Sequence, residues 1–268
     1  MWTIGQLLEN FMTHKDFLPS ADQLPGTLFT PLHLIFSLVL SAVIVAAVIL
    51  LRKKSEKTIR TCFAVIWAIL LVWEPSKILW ETFCGEDVWF EWGGILPLYP
   101  CSIFLYAMPF AVWGKGNVRR AACGYVCTLG LLGGLVNFVY PANILSNYSC
   151  LSFAGFHTFF YHGAIVFTAA LMLSSGYHSF RNVTKWYQLL LPAMPALIVS
   201  IPANLVNYSA IGSDYMFFKL NSFFLAPIGA MMPNWVATVL MYVLYLVIHA
   251  VPYLPSFFAN RRKVSAAQ

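Results

Sequence analysis

The sequence predicts an all-α membrane protein, a seven-transmembrane-helix bundle with its N-terminus outside and its C-terminus inside. Hydrophobic residues make up 60% of the 268 positions and charged residues only 10%, which is more apolar than a soluble domain of this size requires. Seven apolar stretches follow one another, and the loops between them are alternately basic and nearly free of Lys and Arg. These observations predict a single integral membrane domain.

Each predicted crossing has close to the 20 or so mostly apolar residues that a bilayer requires. The seven segments are Thr30–Leu51, Arg60–Trp80, Leu96–Trp113, Ala121–Tyr140, Phe153–Tyr177, Trp186–Asn207 and Asn234–Val251.

The basic residues predict the orientation. Of the 16 Lys and Arg, all but Lys15, Lys77 and Lys219 fall in four short stretches: Arg52–Arg60, Lys115–Arg120, Arg181–Lys185 and Arg261–Lys263. Short loops rich in Lys and Arg stay in the cytoplasm, so the chain is expected to enter from outside and end inside. The formal charge of +6 then belongs to the cytoplasmic loops, and we expect no nucleic-acid partner.

Three parts are expected along the chain. Residues 1–29 form an outer amphipathic helix and linker, because Ile4, Leu7, Leu8 and Phe11 recur at helical spacing; this part has no apolar run typical of a signal peptide. Residues 30–251 form the seven-helix transmembrane domain, and residues 252–268 form a basic cytoplasmic tail.

The connection before the last crossing, Ala210–Pro233, is long and rich in Phe. Such a connection is expected to pack over the membrane domain or to dip into it, where it acts as a lid.

Polar residues inside the crossings lie mostly at the outer depth. Ionisable groups in a bilayer are costly and usually face a cavity or a partner, so these groups, on different helices, predict one shared cavity open to the outer leaflet. His249 is the exception, at the inner end of the last helix. The outer residues are His33, Glu74, Cys101, His162, Asn207 and Asn234.

Three of these residues predict a catalytic set. Cys101 follows Pro97 and Pro100 near a helix N-terminus, whose dipole favours a thiolate. His162 is expected at a similar depth, as a general base for Cys101. Glu74 lies well within the second crossing and is expected to orient His162 or to bind a polar headgroup; a structural hydrogen bond between helices is the alternative.

Two other uses of the polar residues stay open. Glu74, Cys101, His157 and His162 are potential metal ligands, but the two histidines are five positions apart and point in different directions; we expect no metal and no cofactor. Cys84 and Cys150 fall in outer loops on the oxidising side, where a disulfide and two free thiols are both compatible with the sequence.

The chain also resembles a known family. Leu96-Pro97-Leu98-Tyr99-Pro100-Cys101 resembles the LPLHxC element of the YwaF-like bacterial integral membrane proteins, and Tyr161-His162-Gly163 resembles the histidine-glycine element of their fifth helix. Asn207-Tyr208, the segment Gly212–Phe217 and Pro233-Asn234-Trp235 resemble the stretch between their last two helices. Tyr99 stands where the family usually has His, and Asp214 where it usually has Asn.

This bacterial family is similar to the eukaryotic transmembrane protein 164 group, which are cysteine-dependent acyltransferases that remodel ether phospholipids. The resemblance implies a seven-helix bundle in the plasma membrane of a bacterium, with Cys101 as the acyl-accepting nucleophile and His162 as its base. Together with the depth argument, it predicts the following substrate-binding residues: His33, Tyr99, His157, Asn207, Tyr208, Asp214, Tyr215 and Asn234.

Two functions are compatible with the sequence. The first is a membrane-embedded acyltransferase or lipid hydrolase in which Cys101 attacks a phospholipid ester, His162 carries the proton, and Asn207, Tyr208 or amides at a helix start stabilise the oxyanion. The second is a protein that binds or transports a small amphipathic or lipid ligand in the same cavity without covalent chemistry. The absence of a visible internal repeat disfavours transport.

Overall fold

The computed structural model describes residues 2–86, 98–181, 183, 185–208, 215–218, 220 and 226–266, with the side chains of 203–208 and 261–266 left out. This part of the chain contains helices and turns and no strand. The main helices are α1 (Ile4–Glu9), α2 (Pro31–Leu51), α3 (Glu56–Phe83), α4 (Phe104–Trp113), α5 (Gly116–Tyr125), α6 (Leu131–Val139), α7 (Phe153–Ser174), α8 (Met194–Tyr208), α9 (Asn234–Ala250) and α10 (Leu254–Ala266). Single helical turns lie between them at Lys15–Phe17, Ala21–Gln23, Ala142–Leu145, Tyr187–Leu190, Tyr215–Phe217, Ala226–Gly229 and Val251–Tyr253.

Every predicted crossing contains a helix, and five helical spans are long and apolar enough to cross a membrane. They are Pro31–Leu51, Glu56–Phe83, Gly116–Leu145, Phe153–Ser174 and Asn234–Asn260. The chain is therefore a helical, multi-pass membrane protein. The two remaining predicted crossings contain the shorter helices α4 and α8.

Local sequence accounts for the helix starts. Thr30 caps α2 by accepting the backbone N–H of His33, and Pro31 occupies the first position, where no hydrogen bond is lost. Ser55 caps α3 in the same way through Thr58. The basic residues Arg52 to Lys54 separate these two helices. They mark what we call the basic end of the bundle.

The third crossing is shorter than the sequence predicts. Residues 98–103 form turns, and α4 begins only at Phe104. Pro100 has no N–H to donate, and the backbone bonds that follow it, from Phe104 N to Cys101 O and from Leu105 N to Ser102 O, span three residues instead of four. Ten residues of α-helix extend about 15 Å, which is half of a bilayer core. Cys101 lies in the turn before this short helix.

The fourth crossing is one continuous span with a wider turn in its middle. Residues Val126–Gly130 form a π-helical turn between α5 and α6. Such turns are rare in α-helices and are frequent at functional sites. The extra residue in this turn rotates α6 about the helix axis relative to α5, and so determines which neighbouring elements the side chains of α6 face.

Helix α7 is the centre of the bundle. Of its apolar span, 67% is buried, compared with 6% for α2. It packs against α2, α3 and α6, and its residues on all sides are therefore enclosed by other helices. A polar residue in α7 must find its partner within the protein, because lipid offers none.

The N-terminal part packs at the end of the bundle opposite to the basic loops. The carbonyl oxygen of Met12 accepts the indole N–H of Trp80 at 3.0 Å, and that of Phe11 accepts the backbone N–H of Phe153 at 2.8 Å. Asp16 accepts the backbone N–H of Glu86, which lowers the pKa of its carboxyl. These contacts connect the start of the chain to the end of α3 and the start of α7.

The first part of the predicted tail is helical, and the assignment of residues 252–268 as a basic cytoplasmic tail stays a prediction. Helix α9 continues through the turn Val251–Tyr253 into α10. The side-chain amide of Asn260 donates to the carbonyl oxygen of Val183 at 3.1 Å. The last helical span therefore extends past the predicted boundary at Val251 because Pro252 lies at the start of a helical turn, where its missing N–H costs nothing.

A single glycine permits the close start of α7, and we predict that Gly155→Ala destabilises the protein. A Cβ atom at this position would overlap the carbonyl oxygen of Ser149, which is backbone and cannot rotate away. Overpacking of this kind costs about 1–3 kcal/mol. The thermal midpoint of purified protein in detergent should fall, measured against Gly130→Ala, whose new Cβ would have no neighbour closer than 3.4 Å. An equal midpoint in the two variants would contradict this packing.

Candidate active site around Cys101

Cys101 lies in the turn between residues 98 and 103, beside Gly133 in the middle of the Gly116–Leu145 span. The hydroxyl of Tyr125 donates to the carbonyl oxygen of Pro100 at 3.1 Å, and the indole of Trp67 donates to that of Leu105 at 2.9 Å. These two bonds hold the turn from both sides. Cys101 itself is 9% exposed, so its sulfur is almost fully enclosed.

Two adjacent glycines bring the Cys101 turn and α7 to the same part of α6. A Cβ at Gly133 would lie 3.0 Å from the backbone nitrogen of Cys101 and 3.4 Å from its Cα. A Cβ at Gly134 would lie 3.1 Å from Ile165 and 3.4 Å from the carbonyl oxygen of His162. Small residues allow backbones to approach closely in membrane bundles. The absence of side chains at these positions therefore places Cys101 and the His162 segment beside neighbouring residues of one helix.

The tautomer of His162 follows from its hydrogen bond. Its Nδ1 lies 2.8 Å from the carbonyl oxygen of Thr158, one turn earlier in α7. A carbonyl oxygen only accepts, so Nδ1 carries the hydrogen and Nε2 has the free lone pair. His162 is 8% exposed. The backbone of α7 therefore fixes the orientation and the tautomer of this imidazole.

Glu74 contacts a histidine, His157, and the predicted orientation of His162 by Glu74 stays a prediction. The carboxylate Oε2 of Glu74 lies 3.2 Å from Nε2 of His157, an ion-pair distance at which the alignment falls short of a good hydrogen bond. The imidazole is stacked on Tyr161 and meets the edge of Trp73. The described hydrogen bond of His162 is to the backbone carbonyl oxygen of Thr158. No side-chain pattern in the sequence reveals such a contact.

Tyr161 and Ser102 are site residues that the sequence reasoning missed. The hydroxyl of Tyr161 is buried near that of Ser102 and makes no well-aligned hydrogen bond to a described residue. Ser102 is 6% exposed, and its oxygen lies 3.9 Å from the Cys101 sulfur. A buried tyrosine hydroxyl normally has a hydrogen-bond partner. A tyrosine next to His162 in a membrane helix was therefore the signal in the sequence for a further polar residue nearby.

The backbone around Cys101 adds two donors. The N–H groups of Cys101 and Ser102 belong to the nucleophile candidate and to the residue after it, and neither donates to a backbone carbonyl in the described part of the chain. Unpaired N–H groups beside a nucleophile are the usual components of an oxyanion hole. The site thus combines a thiol, an imidazole with a free nitrogen and several hydrogen-bond donors.

His33 has a local role that the depth argument did not predict. Its Nδ1 accepts the backbone N–H of Phe29 at 2.9 Å, so its hydrogen is on Nε2. Phe29 has a positive φ of 61°, and this bond holds the strained turn before α2. The ring packs against Phe159 at 5.5 Å. His33 is therefore engaged in starting α2, and its role in binding substrate stays a prediction.

The connection after α8 covers Tyr99. The Tyr99 ring lies 5.8 Å from that of Tyr215 and 5.2 Å from that of Phe217. The hydroxyl of Tyr245 in α9 donates to the carbonyl oxygen of Met216 at 2.7 Å. The described part of the predicted lid thus packs between α9 and the residue two positions before Cys101.

The remaining predicted residues are placed only in part. Asn207 and Tyr208 lie in the last turn of α8, with side chains outside the description, and Asp214 lies outside the described residues. Asn234 is the exposed first residue of α9. The contribution of these four residues to the site stays a prediction.

Neither a metal centre nor a disulfide is visible in the described residues. Within them, no three His, Cys, Asp or Glu side chains are close enough to hold a metal ion. Cys84 is an exposed free thiol at the end of α3, and Cys150 is a buried free thiol. The disulfide between them stays a prediction.

Comparison with known proteins identifies one family. The model described as the TMEM164 family matches residues 28–258, which include α2 to α9 and every residue of the site above. No curated protein and no solved structure matches the chain. The bacterial YwaF-like resemblance stays a prediction.

The contact between Glu74 and His157 predicts a stability difference. Glu74→Ala removes the carboxylate that lies 3.2 Å from the buried His157 Nε2, and the loss of one partner of a buried ion pair is strongly destabilising. Glu81 in the same helix pairs with Lys77 at a partly exposed position, where ion pairs contribute roughly 0–1 kcal/mol. The thermal midpoint in detergent should therefore fall more for Glu74→Ala than for Glu81→Ala. The reverse order would mean that the buried contact is not a stabilising one.

Proposed function

The chain belongs to the TMEM164 family, and on that premise we propose that it is a membrane-embedded, cysteine-dependent acyltransferase or lipid hydrolase acting on phospholipid acyl chains. The observation that supports this proposal is that the turn of Cys101 and the His162 segment of α7 approach the adjacent glycines Gly133 and Gly134 of α6, while the hydrogen bond of His162 to Thr158 leaves its Nε2 lone pair free. A buried thiol keeps its proton because burial disfavours the charged form. Attack by Cys101 therefore requires a base, and the tautomer of His162 suits that role.

The reaction has two halves. In the first, the Cys101 sulfur attacks the carbonyl carbon of a phospholipid ester, while His162 Nε2 takes the thiol proton. The ester C–O bond breaks, the lysophospholipid oxygen takes the proton from His162, and the acyl group stays on Cys101 as a thioester. In the second, a lysophospholipid hydroxyl or a water attacks this thioester, gives its proton to His162, and the proton returns to the thiolate.

The negative oxygen formed during each attack needs donors. The candidate donors are the N–H groups of Cys101 and Ser102 and the hydroxyl of Tyr161, which have no well-aligned partner among the described residues. Asn207 and Tyr208 remain additional candidates from the sequence. Loss of one oxyanion-hole donor typically slows the step about 100–1,000-fold.

The orientation determines the acyl donor. We propose that the chain is a plasma-membrane protein of a bacterium, with its N-terminus outside and the basic loops in the cytoplasm. Cys101 would then lie toward the outer leaflet, where phospholipid is present and cytoplasmic acyl-CoA is not. The proposal is therefore transfer between lipids, or lipid hydrolysis, without CoA.

A covalent adduct tests the nucleophile. Purified protein mixed with a phospholipid that has an alkyne-tagged acyl chain should retain the tag in a bond that hydroxylamine cleaves, because thioesters react with it. We expect no adduct in Cys101→Ala and an undiminished adduct in Cys127→Ala, a buried cysteine of the π-helical turn. Equal labelling of Cys101→Ala and the parent protein would favour non-covalent lipid binding.

The base is tested by rate. His162→Ala should slow formation of the adduct by about 100-fold to 10,000-fold, the usual contribution of a positioned base. His14→Ala, which removes a histidine that packs on Trp80 in the N-terminal part, should slow it far less. Adding a lysophospholipid then separates the two activities, since a transferase moves the tag into the lipid and a hydrolase releases it as fatty acid. Equal rates for His162→Ala and His14→Ala would rule out His162 as the base.

The glycine contact offers a third test. In Gly133→Ala, the new Cβ would press on the backbone nitrogen of Cys101 and displace the turn. We expect adduct formation to slow at least tenfold, because a misplacement of about 1 Å is costly in catalysis. Gly130→Ala introduces the same methyl group three residues closer to α5 without a close contact, and it should react at the parent rate.

A further inference from the structure

A cavity of about 500 Å³ lies at the basic end of the bundle, away from Cys101. Three connections line it: the one between α2 and α3, the one that leads into α5, and the one that follows α7. Its volume falls within the range of small-molecule sites. The cavity plays no part in the chemistry proposed for Cys101.

The lining has an excess of positive charge. Lys54, Arg119, Arg120 and Arg181 contribute four cations, and Glu56 contributes the one carboxylate. Within the described residues, Glu56 pairs with Arg119 and Arg60, and none of the ion pairs includes Lys54, Arg120 or Arg181. Like charges gathered around one cavity repel each other, and a bound anion relieves that repulsion.

Arg119 is held in place before any ligand arrives. Its guanidinium donates to Glu56 at 2.7 Å and lies 4.2 Å from the centre of the Tyr177 ring. The Tyr177 hydroxyl in turn donates to the carbonyl oxygen of Ala111 at 2.8 Å. A guanidinium fixed by an acid and an aromatic ring loses little entropy on binding an anion.

The turn after α7 supplies neutral donors. Gly176 has a positive φ of 76°, which reverses the chain and brings Ser175 and Ser179 to the same cavity. The Ser179 oxygen accepts the backbone N–H of Arg181 at 3.2 Å, so its own hydrogen is available to a ligand. His178, also in the lining, has its pKa lowered to about 4 by burial and by Arg120. It is therefore neutral at pH 7, and the cations of the cavity are the Lys and Arg.

We propose that this cavity binds a phosphate group, either the headgroup of an anionic phospholipid or a soluble phosphate compound. Arginine pairs and a hydroxyl donor match the oxygens of phosphate in charge and geometry. Leu50 and Val118, close in sequence to Lys54 and Arg119, are 71% and 54% exposed on the apolar surface. A lipid whose headgroup occupies the cavity would find its acyl chains beside these residues.

The rival explanation is that these cations serve only to orient the protein in the membrane. That explanation predicts that the loss of any two basic residues near these loops has the same effect on the binding of phosphate compounds. Arg52 and Lys57 belong to those loops but do not line the cavity. They provide a control with the same loss of charge.

The test compares two double variants purified in a neutral detergent. Arg120→Gln with Arg181→Gln removes two lining cations, and Arg52→Gln with Lys57→Gln removes two others. Both pairs lie at exposed positions, so both variants should fold. The probes are phosphatidylglycerol in mixed micelles, phosphatidylcholine as the zwitterionic control, and inorganic pyrophosphate, with the thermal midpoint and the Kd as readouts.

Phosphatidylglycerol or pyrophosphate should raise the midpoint of the parent and of the Arg52/Lys57 variant, because a ligand that binds the folded state stabilises it. Loss of the lining pair should raise the Kd about tenfold or more, as expected for charged hydrogen bonds. A response to phosphatidylglycerol alone identifies a lipid headgroup as the source, and a response to pyrophosphate identifies a soluble phosphate. Equal losses in both double variants, or no response of the parent to either probe, would overturn the proposal.

Discussion

The close contact of α6 with its neighbours at Gly133 and Gly134 is the constraint on which the rest of the site depends. Each glycine accommodates a different element, the turn of Cys101 on one side and α7 on the other. Any side chain at either position would meet backbone or a branched side chain within about 3 Å. The distance between the thiol segment and the imidazole segment is therefore set by two residues that have no chemistry of their own.

The sequence predicted where helices lie along the chain and proposed residues for the site, but it did not predict the contacts of those residues. Hydropathy placed a helix in each predicted crossing, and the costly polar residues pointed to Cys101, His162 and Glu74. The contact of Glu74 with His157 did not follow from the sequence, because depth along a helix does not specify direction around it. The short α4 was missed because an apolar run has the same hydropathy whether it is a helix or, as after Pro100, a turn.

The orientation of His162 was beyond sequence reasoning for another reason. Its partner is the carbonyl oxygen of Thr158, and every residue offers a carbonyl. Gly133 and Gly134 were visible as small residues in a membrane helix, but which elements they face depends on the packing of three helices. The sequence therefore pointed to the candidate reactive residues, Cys101 and His162, more readily than to the residues that position them.

The π-helical turn at Val126–Gly130 has a consequence for any comparison of this chain with relatives. An α-helix rotates about 100° per residue, so the extra residue of the turn changes the direction of everything after it. Thr128 in this turn contacts Nδ1 of His249 at 2.6 Å, and Tyr125 just before it holds Pro100. The sequence of a relative that lacks one residue in this turn could still be aligned with this chain at Gly133 and Gly134, with a gap before them. Its two glycines would nevertheless face elsewhere, and the cysteine and histidine would no longer share a helix surface.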